Sequence, residues 1–235
     1  MRLLLLSNSR NPDSGYLEHA RDWFADFLRG VRRMAFVPYA AVRFSYDDYE
    51  RAVAEALGDL VEIRSVHHGV PAQVVEECDA VAVGGGNTFH LLHEMARFEL
   101  PGAIRKAVRD GKPYCGWSAG SNVASPTIRT TNDMPIIEPP SFEALELVPF
   151  QINPHYLDAH PDRHMGETRE ERLLEFCRVN PQVPVVGLRE GSAILVDGGA
   201  PRLLGNRTAR IFRGTDEPAE LESGSTLEFS GPSQT

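Results

Sequence analysis

The first half of the chain alternates short apolar runs with segments in which apolar residues recur every three or four positions. Short apolar runs are typical of strands buried on both faces, and the wider spacing is typical of helices that bury one face. The runs predict strands at Leu3–Ser7, Met34–Val37, Leu60–Val66, Ala80–Val83 and Tyr114–Trp117. The spaced segments predict helices at Tyr16–Leu28, Tyr46–Leu57, Pro71–Glu77, Thr88–Ala96 and Ile104–Arg109.

This alternation predicts an α/β fold, with a mostly parallel sheet and helices on both of its faces. In such sheets, ligands bind beyond the carboxyl ends of the strands. Two glycine-rich turns fall at such ends. "G-G-G-N" follows the fourth predicted strand and "G-W-S-A-G" overlaps the end of the fifth, so we expect a binding or catalytic site there.

The second half has a looser pattern, in which a polar, proline-rich loop is expected at Thr130–Pro140. One helix is predicted at Thr168–Arg178. Strands are predicted at Val148–Asn153, ending before Pro154, and at Val185–Leu188, Ala193–Val196, Arg202–Leu204 and Ala209–Phe212. No repeat or linker divides the chain, so we expect a single domain over residues 1–229 and a frayed tail at 230–235.

Composition narrows the class of partner. The chain has 235 residues, 42% of them hydrophobic, and a net charge of −9, which argues against nucleic acid and against an anionic membrane surface. The four leucines near the N-terminus are too few for a signal peptide, and no segment is long and apolar enough to span a bilayer. The three cysteines have no metal-ligand spacing, and Cys115 and Cys177 are expected to be reduced core residues, which suits the cytoplasm.

Ser118 is the first candidate for chemistry. A nucleophile on a sharp strand-to-helix turn needs small residues two positions before and after it, and Gly116 and Gly120 meet that need. The backbone N–H groups of Ala119 and Gly86 are then expected to form an oxyanion hole. The alternative is that this Gly-x-Ser-x-Gly pattern occurs by chance in a glycine-rich bend.

A serine nucleophile requires a base and a carboxylate to orient it. His155 follows a predicted strand in "Q-I-N-P-H-Y", whereas His160 and His164 lie in a polar loop. The orienting carboxylate is left open among Glu190, Asp133 and Asp158. The histidine spacings do not match a zinc protease helix, and "G-G-G-N-T" lacks a phosphate-loop lysine, so neither a metal nor another cofactor is expected.

Five segments carry a resemblance that goes beyond single residues. They occur in the order A-V-G-G-G-N-T-F-H-L-L, G-W-S-A-G-S-N-V-A-S-P-T-I-R-T-T-N-D-M-P, Q-I-N-P-H-Y, G-E-T-R-E-E-R and G-L-R-E-G. Together they resemble the peptidase E (aspartyl dipeptidase) branch of the S51 serine peptidase family, from the first strand to about Gly205. The resemblance implies a fold related to class I glutamine amidotransferases, with serine replacing cysteine at the elbow.

The resemblance also implies roles for single residues. It matches Ser118 to the nucleophile and His155 to the general base, with Glu190 favoured over Asp133 as the third member. The oxyanion-hole donors match Gly86 and Ala119. Arg169 is expected to bind a substrate carboxylate, and weaker candidates for the same pocket are Asn87 and Thr131.

The implied activity is metal-free hydrolysis of dipeptides with an N-terminal aspartate. We expect the protein to be cytoplasmic and to be a monomer or homodimer. One alternative is a cyanophycinase-type peptidase of the same family, which cleaves β-aspartyl-arginine polymer. A second alternative is a non-catalytic small-molecule binding domain on the same fold, in which the serine and histidine are incidental.

Overall fold

The computed structural model describes residues 1–158 and 165–229. His160, His164 and the predicted tail at 230–235 lie outside these residues. The strands are β1 Arg2–Leu6, β2 Arg33–Val37, β3 Glu62–Ser65, β4 Ala80–Val83, β5 Tyr114–Trp117, β6 Gln151–Tyr156, β7 Val185–Arg189, β8 Ser192–Asp197, β9 Arg202–Gly205, β10 Ala209–Phe212 and β11 Ala219–Leu221. The helices are α1 Arg21–Phe27, α2 Tyr46–Leu57, α3 Pro71–Glu77, α4 Thr88–Arg97, α5 Leu100–Arg109, α6 Ala119–Asn122 and α7 Arg169–Val179.

The main sheet has seven strands in the order β3-β2-β4-β5-β1-β8-β9. The first five are parallel, and β8 and β9 pair antiparallel, with the turn at Asp197–Gly199 between them. The predicted α/β fold with a mostly parallel sheet is therefore confirmed. Because β4, β5 and β1 are adjacent, the residues that follow them meet at one edge of the sheet.

Alternation along β1 shows how the core is divided between the two faces of this sheet. Leu3 and Leu5 pack into the cluster that includes helices α4 and α5, whereas Leu4 and Leu6 pack into the cluster that includes α1 and α2. All four side chains are fully buried. Helices therefore cover both faces, as the unbroken apolar run predicted.

A second sheet of four strands, in the order β11-β10-β7-β6, was not foreseen. Strand β6 is parallel to β7, and its segment includes Pro154, so the prediction that the strand ends at Asn153 is wrong. The reason is position: β6 lies at the edge of its sheet, where a residue without an N–H is tolerated. This sheet carries the expected base and the expected orienting carboxylate.

The local differences elsewhere are small. The helix predicted at Tyr16–Leu28 is a 3-10 turn at Glu18–Ala20 followed by α1, and α5 begins at Leu100, earlier than predicted.

The three cysteines are free and buried. Burial raises the pKa of the Cys115 thiol, which keeps it protonated and unreactive. Within residues 1–158 and 165–229, helices that combine the length and apolarity needed to cross a bilayer are absent.

Candidate active site

Ser118 occupies a strained turn between β5 and α6. Its backbone has φ 53° and ψ −114°, an unusual conformation for a residue other than glycine. A Cβ on Gly116 would lie 2.4 Å from the carbonyl oxygen of Gly120, and one on Gly120 would lie 1.9 Å from that of Val83. Both positions therefore require glycine, and the turn has the sharpness of a nucleophile elbow.

Hydrogen bonds from the neighbouring strand fix this turn. The Ser118 backbone N–H donates to the Leu6 carbonyl over 3.1 Å. The Ser121 hydroxyl lies 2.6 Å from the same carbonyl and 2.9 Å from that of Gly116. Ser121 is completely buried and acts as a structural residue that secures the turn to β1.

His155 approaches Ser118 from the second sheet. His155 Nε2 lies 2.9 Å from Ser118 Oγ, and His155 Nδ1 lies 2.6 Å from Glu190 Oε1. The backbone of His155 has φ 54°, in the left-handed region that non-glycine residues seldom adopt. The side chains thus lie in the order hydroxyl, imidazole, carboxylate, which is the order needed for the histidine to accept the hydroxyl proton.

Ser7, at the end of β1, connects the two sheets at this point. Its hydroxyl donates to the Leu188 carbonyl over 2.7 Å and accepts from the His155 backbone N–H over 2.9 Å. Ser7 is fully buried. One hydroxyl on the main sheet therefore sets the position of both β6 and β7, the strands that present His155 and Glu190.

Glu190 follows β7 directly and faces His155 at the mouth of the site. The side chain of Glu190 is 45% exposed and that of His155 39% exposed, so water screens their interaction. The preceding residue, Arg189, points elsewhere and binds Asp158 and Glu220. Asp158 is thereby engaged in an ion pair with Arg189.

Asp133 has a different environment from Glu190. Its Oδ2 accepts from the Thr88 backbone N–H over 2.8 Å, from the Thr88 hydroxyl over 2.6 Å and from Thr131 Oγ1 over 3.2 Å. Asn87 caps the same helix, α4, by accepting from the His90 backbone N–H over 3.0 Å. Asp133, Thr131 and Asn87 therefore hold the start of α4 against the 131–134 loop.

The "G-G-G-N" turn abuts the serine. A Cβ on Gly85 would lie 3.0 Å from the Cβ of Ser118, and one on Gly86 would lie 2.2 Å from the Ala40 carbonyl oxygen. Gly86 has φ 139°, which favours glycine. Ala119 is the first residue of α6, where backbone N–H groups have no acceptor within the helix. Gly85 and Gly86 line the same cleft as Ser118, and the helix that starts at Ala119 follows the serine directly.

Ser118 and His155 open into a cleft of about 800 Å³. The residues that line it include Gly86, Asn87, Asp133, Tyr16, Asp48 and Tyr49, together with Arg10 and Arg43. These two arginines were missed. Each follows the carboxyl end of a parallel strand, Arg10 after β1 and Arg43 after β2, and that position is the signal that could have found them.

Arg169 is not among the residues that line this cleft. It is half-buried at the start of α7, and its Nη1 lies 3.4 Å from the His155 carbonyl oxygen. Burial, followed by the nearby charge of Arg172, lowers the pKa of the Arg169 guanidinium. The structure thus places the Arg169 guanidinium at the main-chain carbonyl of His155 and not at its imidazole.

Side chains of metal-ligand type cluster at another place in the described part of the chain. Asp47, Glu50, His67 and His68 bring their ligand atoms within 4.8 Å of one another. Asp47 and Glu50 lie on α2, whose Asp48 and Tyr49 face the cleft. The Ser118 site itself consists of groups that suit acid–base and nucleophilic chemistry.

Comparison with known proteins places the chain in a family. The sequence profile of Peptidase family S51 matches residues 3–204. The chain belongs to peptidase family S51. It is therefore a peptidase, and the serine at its elbow fits the serine type of the S51 family.

Relatives in S51 are similar over nearly the whole chain. A protein named Peptidase E from Streptomyces coelicolor is 56% identical over 230 residues, covering 97% of this chain and 93% of the relative. Another Peptidase E, from Shewanella amazonensis, is 50% identical over 229 residues, covering 97% of each chain. The predicted resemblance to S51 is thereby confirmed.

Two solved structures share the fold. A peptidase from an acI-B1 Actinobacterium has a TM-score of 0.71 at 16% identity, covering 97% of this chain and 96% of its own. A peptidase-E-type protein from Listeria monocytogenes has a TM-score of 0.64 at 24% identity, covering 87% and 98%. The S51 member described here thus has the α/β architecture of these two proteins.

Proposed function

We propose that the chain is a serine dipeptidase that hydrolyses dipeptides with an N-terminal aspartate through an acyl-enzyme on Ser118. The observation that carries this proposal is the alignment of Ser118 Oγ, His155 and Glu190, with separations of 2.9 and 2.6 Å, on an elbow that only glycine neighbours allow. Identity of 50–56% to proteins named Peptidase E supports the choice of reaction.

In the proposed mechanism, His155 Nε2 takes the hydroxyl proton as Ser118 Oγ attacks the peptide carbonyl carbon. The N–H groups of Gly86 and Ala119 hold the resulting oxyanion, and each such donor contributes about 3 kcal/mol in comparable sites. His155 then donates its proton to the leaving amine as the C–N bond breaks. Water, deprotonated by His155, releases aspartate and restores the serine. Glu190 orients the imidazole and stabilises its charged form.

Selectivity for aspartate is proposed to rest on an arginine. Arg169 lies beside the His155 backbone and is half-buried, so a guanidinium without a carboxylate partner there is costly. A planar guanidinium can also hold a carboxylate through two parallel hydrogen bonds. Arg10 and Arg43 line the cleft and supply the rival position for the same group. Asn87 and Thr131 are proposed to shape this pocket, since both border it or support its wall.

The remaining parts of the proposal concern the whole chain. We propose one functional unit over residues 1–229 that works in the cytoplasm as a monomer or homodimer without a catalytic metal. Three free, buried thiols are compatible with a reducing compartment. The cyanophycinase-type peptidase remains the alternative, whereas membership of a peptidase family argues against a non-catalytic binding domain.

The test compares turnover of Asp-Leu, Asn-Leu and β-Asp-Arg by the wild type and Ser118→Ala. We expect turnover of Asp-Leu alone, abolished in the variant, and labelling of Ser118 by a fluorophosphonate. Preference for β-Asp-Arg would favour the cyanophycinase alternative, and a wild type that neither turns over nor is labelled would favour a binding domain. Full Asp-Leu hydrolysis by Ser118→Ala would exclude the mechanism.

The arginine assignment is tested separately with Arg169→Lys, Arg10→Lys and Arg43→Lys. Lysine keeps the charge and loses the bidentate geometry, so Arg169→Lys should raise KM for Asp-Leu by at least about tenfold. The cleft variants Arg10→Lys and Arg43→Lys serve as matched controls. A larger rise in KM in either of them would transfer the aspartate-binding role to that arginine.

A further inference from the structure

Four side chains of metal-ligand type, none of them among the residues that line the cleft, converge beside α2. Asp47 and Glu50 are three residues apart on this helix and share one face of it. His67 and His68 lie in the 3-10 turn that follows β3. Two segments separated in the sequence thus each contribute a pair of ligands, and the peptidase chemistry uses none of them.

The ligand atoms are already close. His67 Nε2 lies 2.9 Å from Asp47 Oδ1, and His68 Nε2 lies 2.7 Å from Glu50 Oε2 and 3.5 Å from Asp47 Oδ1. In a tetrahedral zinc site with bonds of 2.0–2.1 Å, neighbouring ligand atoms are about 3.3 Å apart. The ligand atoms of all four residues lie within 4.8 Å of one another, so changes of at most about 1.5 Å in these separations would convert the cluster into such a site.

A buried serine orients one ligand from each pair. The Ser65 hydroxyl lies 2.5 Å from His67 Nδ1, and the Ser65 backbone N–H donates to Glu50 Oε1 over 3.0 Å. These contacts leave His67 Nε2 and Glu50 Oε2 pointing into the cluster. With a metal on Nε2, His67 Nδ1–H would donate to Ser65, whose hydroxyl could then donate to the Phe36 carbonyl oxygen 3.4 Å away. Outer hydrogen bonds of this kind characterise histidine ligands of metals.

Exposure of the ligands fits a site that a metal can enter from solvent. The side chains of His67 and Glu50 are 16% and 21% exposed, whereas those of His68 and Asp47 are 56% and 66% exposed. Two ligands are therefore held by the fold, and two can close over an incoming ion. Two carboxylates also give the site the negative charge that favours a divalent cation.

We propose that Asp47, Glu50, His67 and His68 bind one Zn²⁺ in a four-coordinate structural site. Two imidazoles and two carboxylates suit Zn²⁺, whereas Mg²⁺ and Ca²⁺ prefer oxygen ligands alone. Four protein ligands leave no open position, so the ion would join α2 to the turn after β3 and would take no part in peptide hydrolysis. Because Asp48 and Tyr49 of α2 face the cleft, the ion would also brace one cleft wall.

The experiment titrates the metal-stripped full chain with zinc chloride by calorimetry and follows the melting temperature. Wild type should bind one equivalent and melt several degrees higher with Zn²⁺. A His67→Gln/His68→Gln double variant should bind at least about 100-fold more weakly and lose the thermal shift. His93→Gln is the matched control, because His93 contacts Glu94 and Glu138 away from the cluster. Co²⁺ should give the intense visible bands of four-coordinate cobalt.

Several outcomes would overturn the proposal. Equal Zn²⁺ binding by the double variant would place the ion elsewhere, and absence of binding to folded wild type would leave only histidine–carboxylate hydrogen bonds. Equal binding of Mg²⁺ would indicate an unselective acidic surface. Ser118→Ala should bind Zn²⁺ like the wild type, so this test is independent of the proposed peptidase mechanism.

Discussion

Replacing Glu190 by glutamine tests which carboxylate supports the proposed base. The variant keeps the size of the side chain and an acceptor oxygen for His155 Nδ1–H, and removes only the negative charge. Asp133→Asn is the matched change at the rival carboxylate, whose Oδ2 is engaged by Thr88 and Thr131. The two variants therefore separate an effect on the imidazole from an effect on the start of α4.

The expected magnitude follows from the exposure of the pair. His155 Nδ1 and Glu190 Oε1 are 2.6 Å apart, so the centres of charge of imidazolium and carboxylate are about 4 Å apart. At that distance the attraction is about 4 kcal/mol near a protein surface and about 1 kcal/mol in bulk water. With side chains 39% and 45% exposed, we expect about 1.5–3 kcal/mol, which corresponds to a roughly 10- to 150-fold loss in kcat.

The assay measures kcat and KM for Asp-Leu from pH 5 to 9, with thermal melting as a control for folding. Glu190→Gln should lower kcat and leave KM nearly unchanged, because the lost charge acts when the imidazole becomes cationic. Asp133→Asn should change kcat less than about threefold. The opposite ranking, with Asp133→Asn the more damaging variant at equal stability, would refute the assignment of Glu190.

Three further outcomes are expected. Ser7→Ala leaves two backbone groups between the sheets unpaired. We therefore expect kcat to fall about tenfold and the free energy of unfolding to fall by about 1–3 kcal/mol. An unchanged kcat would contradict the role of Ser7. Gly120→Ala, whose Cβ would meet a carbonyl oxygen at 1.9 Å, should destabilise the fold by several kcal/mol in urea unfolding, whereas Gly102→Ala, with open space, should stabilise it slightly. Hydrogen bonds from Arg189 lower the pKa of Glu220 from 4.5 to about 2, so their stabilisation is complete above pH 4.5 and is lost as the pH falls toward 2. Because Glu220 is 37% exposed, we expect about 1 kcal/mol after screening, and Glu220→Gln should flatten the acid limb of a stability–pH curve.

Local sequence patterns were sufficient to predict the main sheet and the elbow. The strand bounds of β4 and β5 and the helix bounds of α2 and α3 agree with the prediction, because each is a short unbroken apolar run or a regular amphipathic segment between clear turn residues. The role of the glycines around Ser118 could also be predicted from the sequence. The need for small residues there arises from backbone contacts within a few residues and with one neighbouring strand.

Features that depend on long-range pairing could not be predicted from the sequence. Strand β11, Ala219–Leu221, has three mostly exposed residues and no apolar period, so only its pairing with β10 defines it. The residues alone left Asp158 open beside Glu190 as the orienting carboxylate, and only the fold separates them, because Arg189 binds Asp158 whereas Glu190 faces His155. The position of Arg10 in the cleft lining likewise depends on how the loop after β1 folds.

The division of the proposed machinery between two sheets has a consequence for the time at which activity arises. Ser118 belongs to the part of the chain that leaves the ribosome first, whereas its base and carboxylate follow some forty and seventy residues later on strands that must dock against Ser7. A partly synthesised chain therefore carries Ser118 without the base that would activate it. Dipeptide hydrolysis would therefore begin only after β6 and β7 have docked against the main sheet.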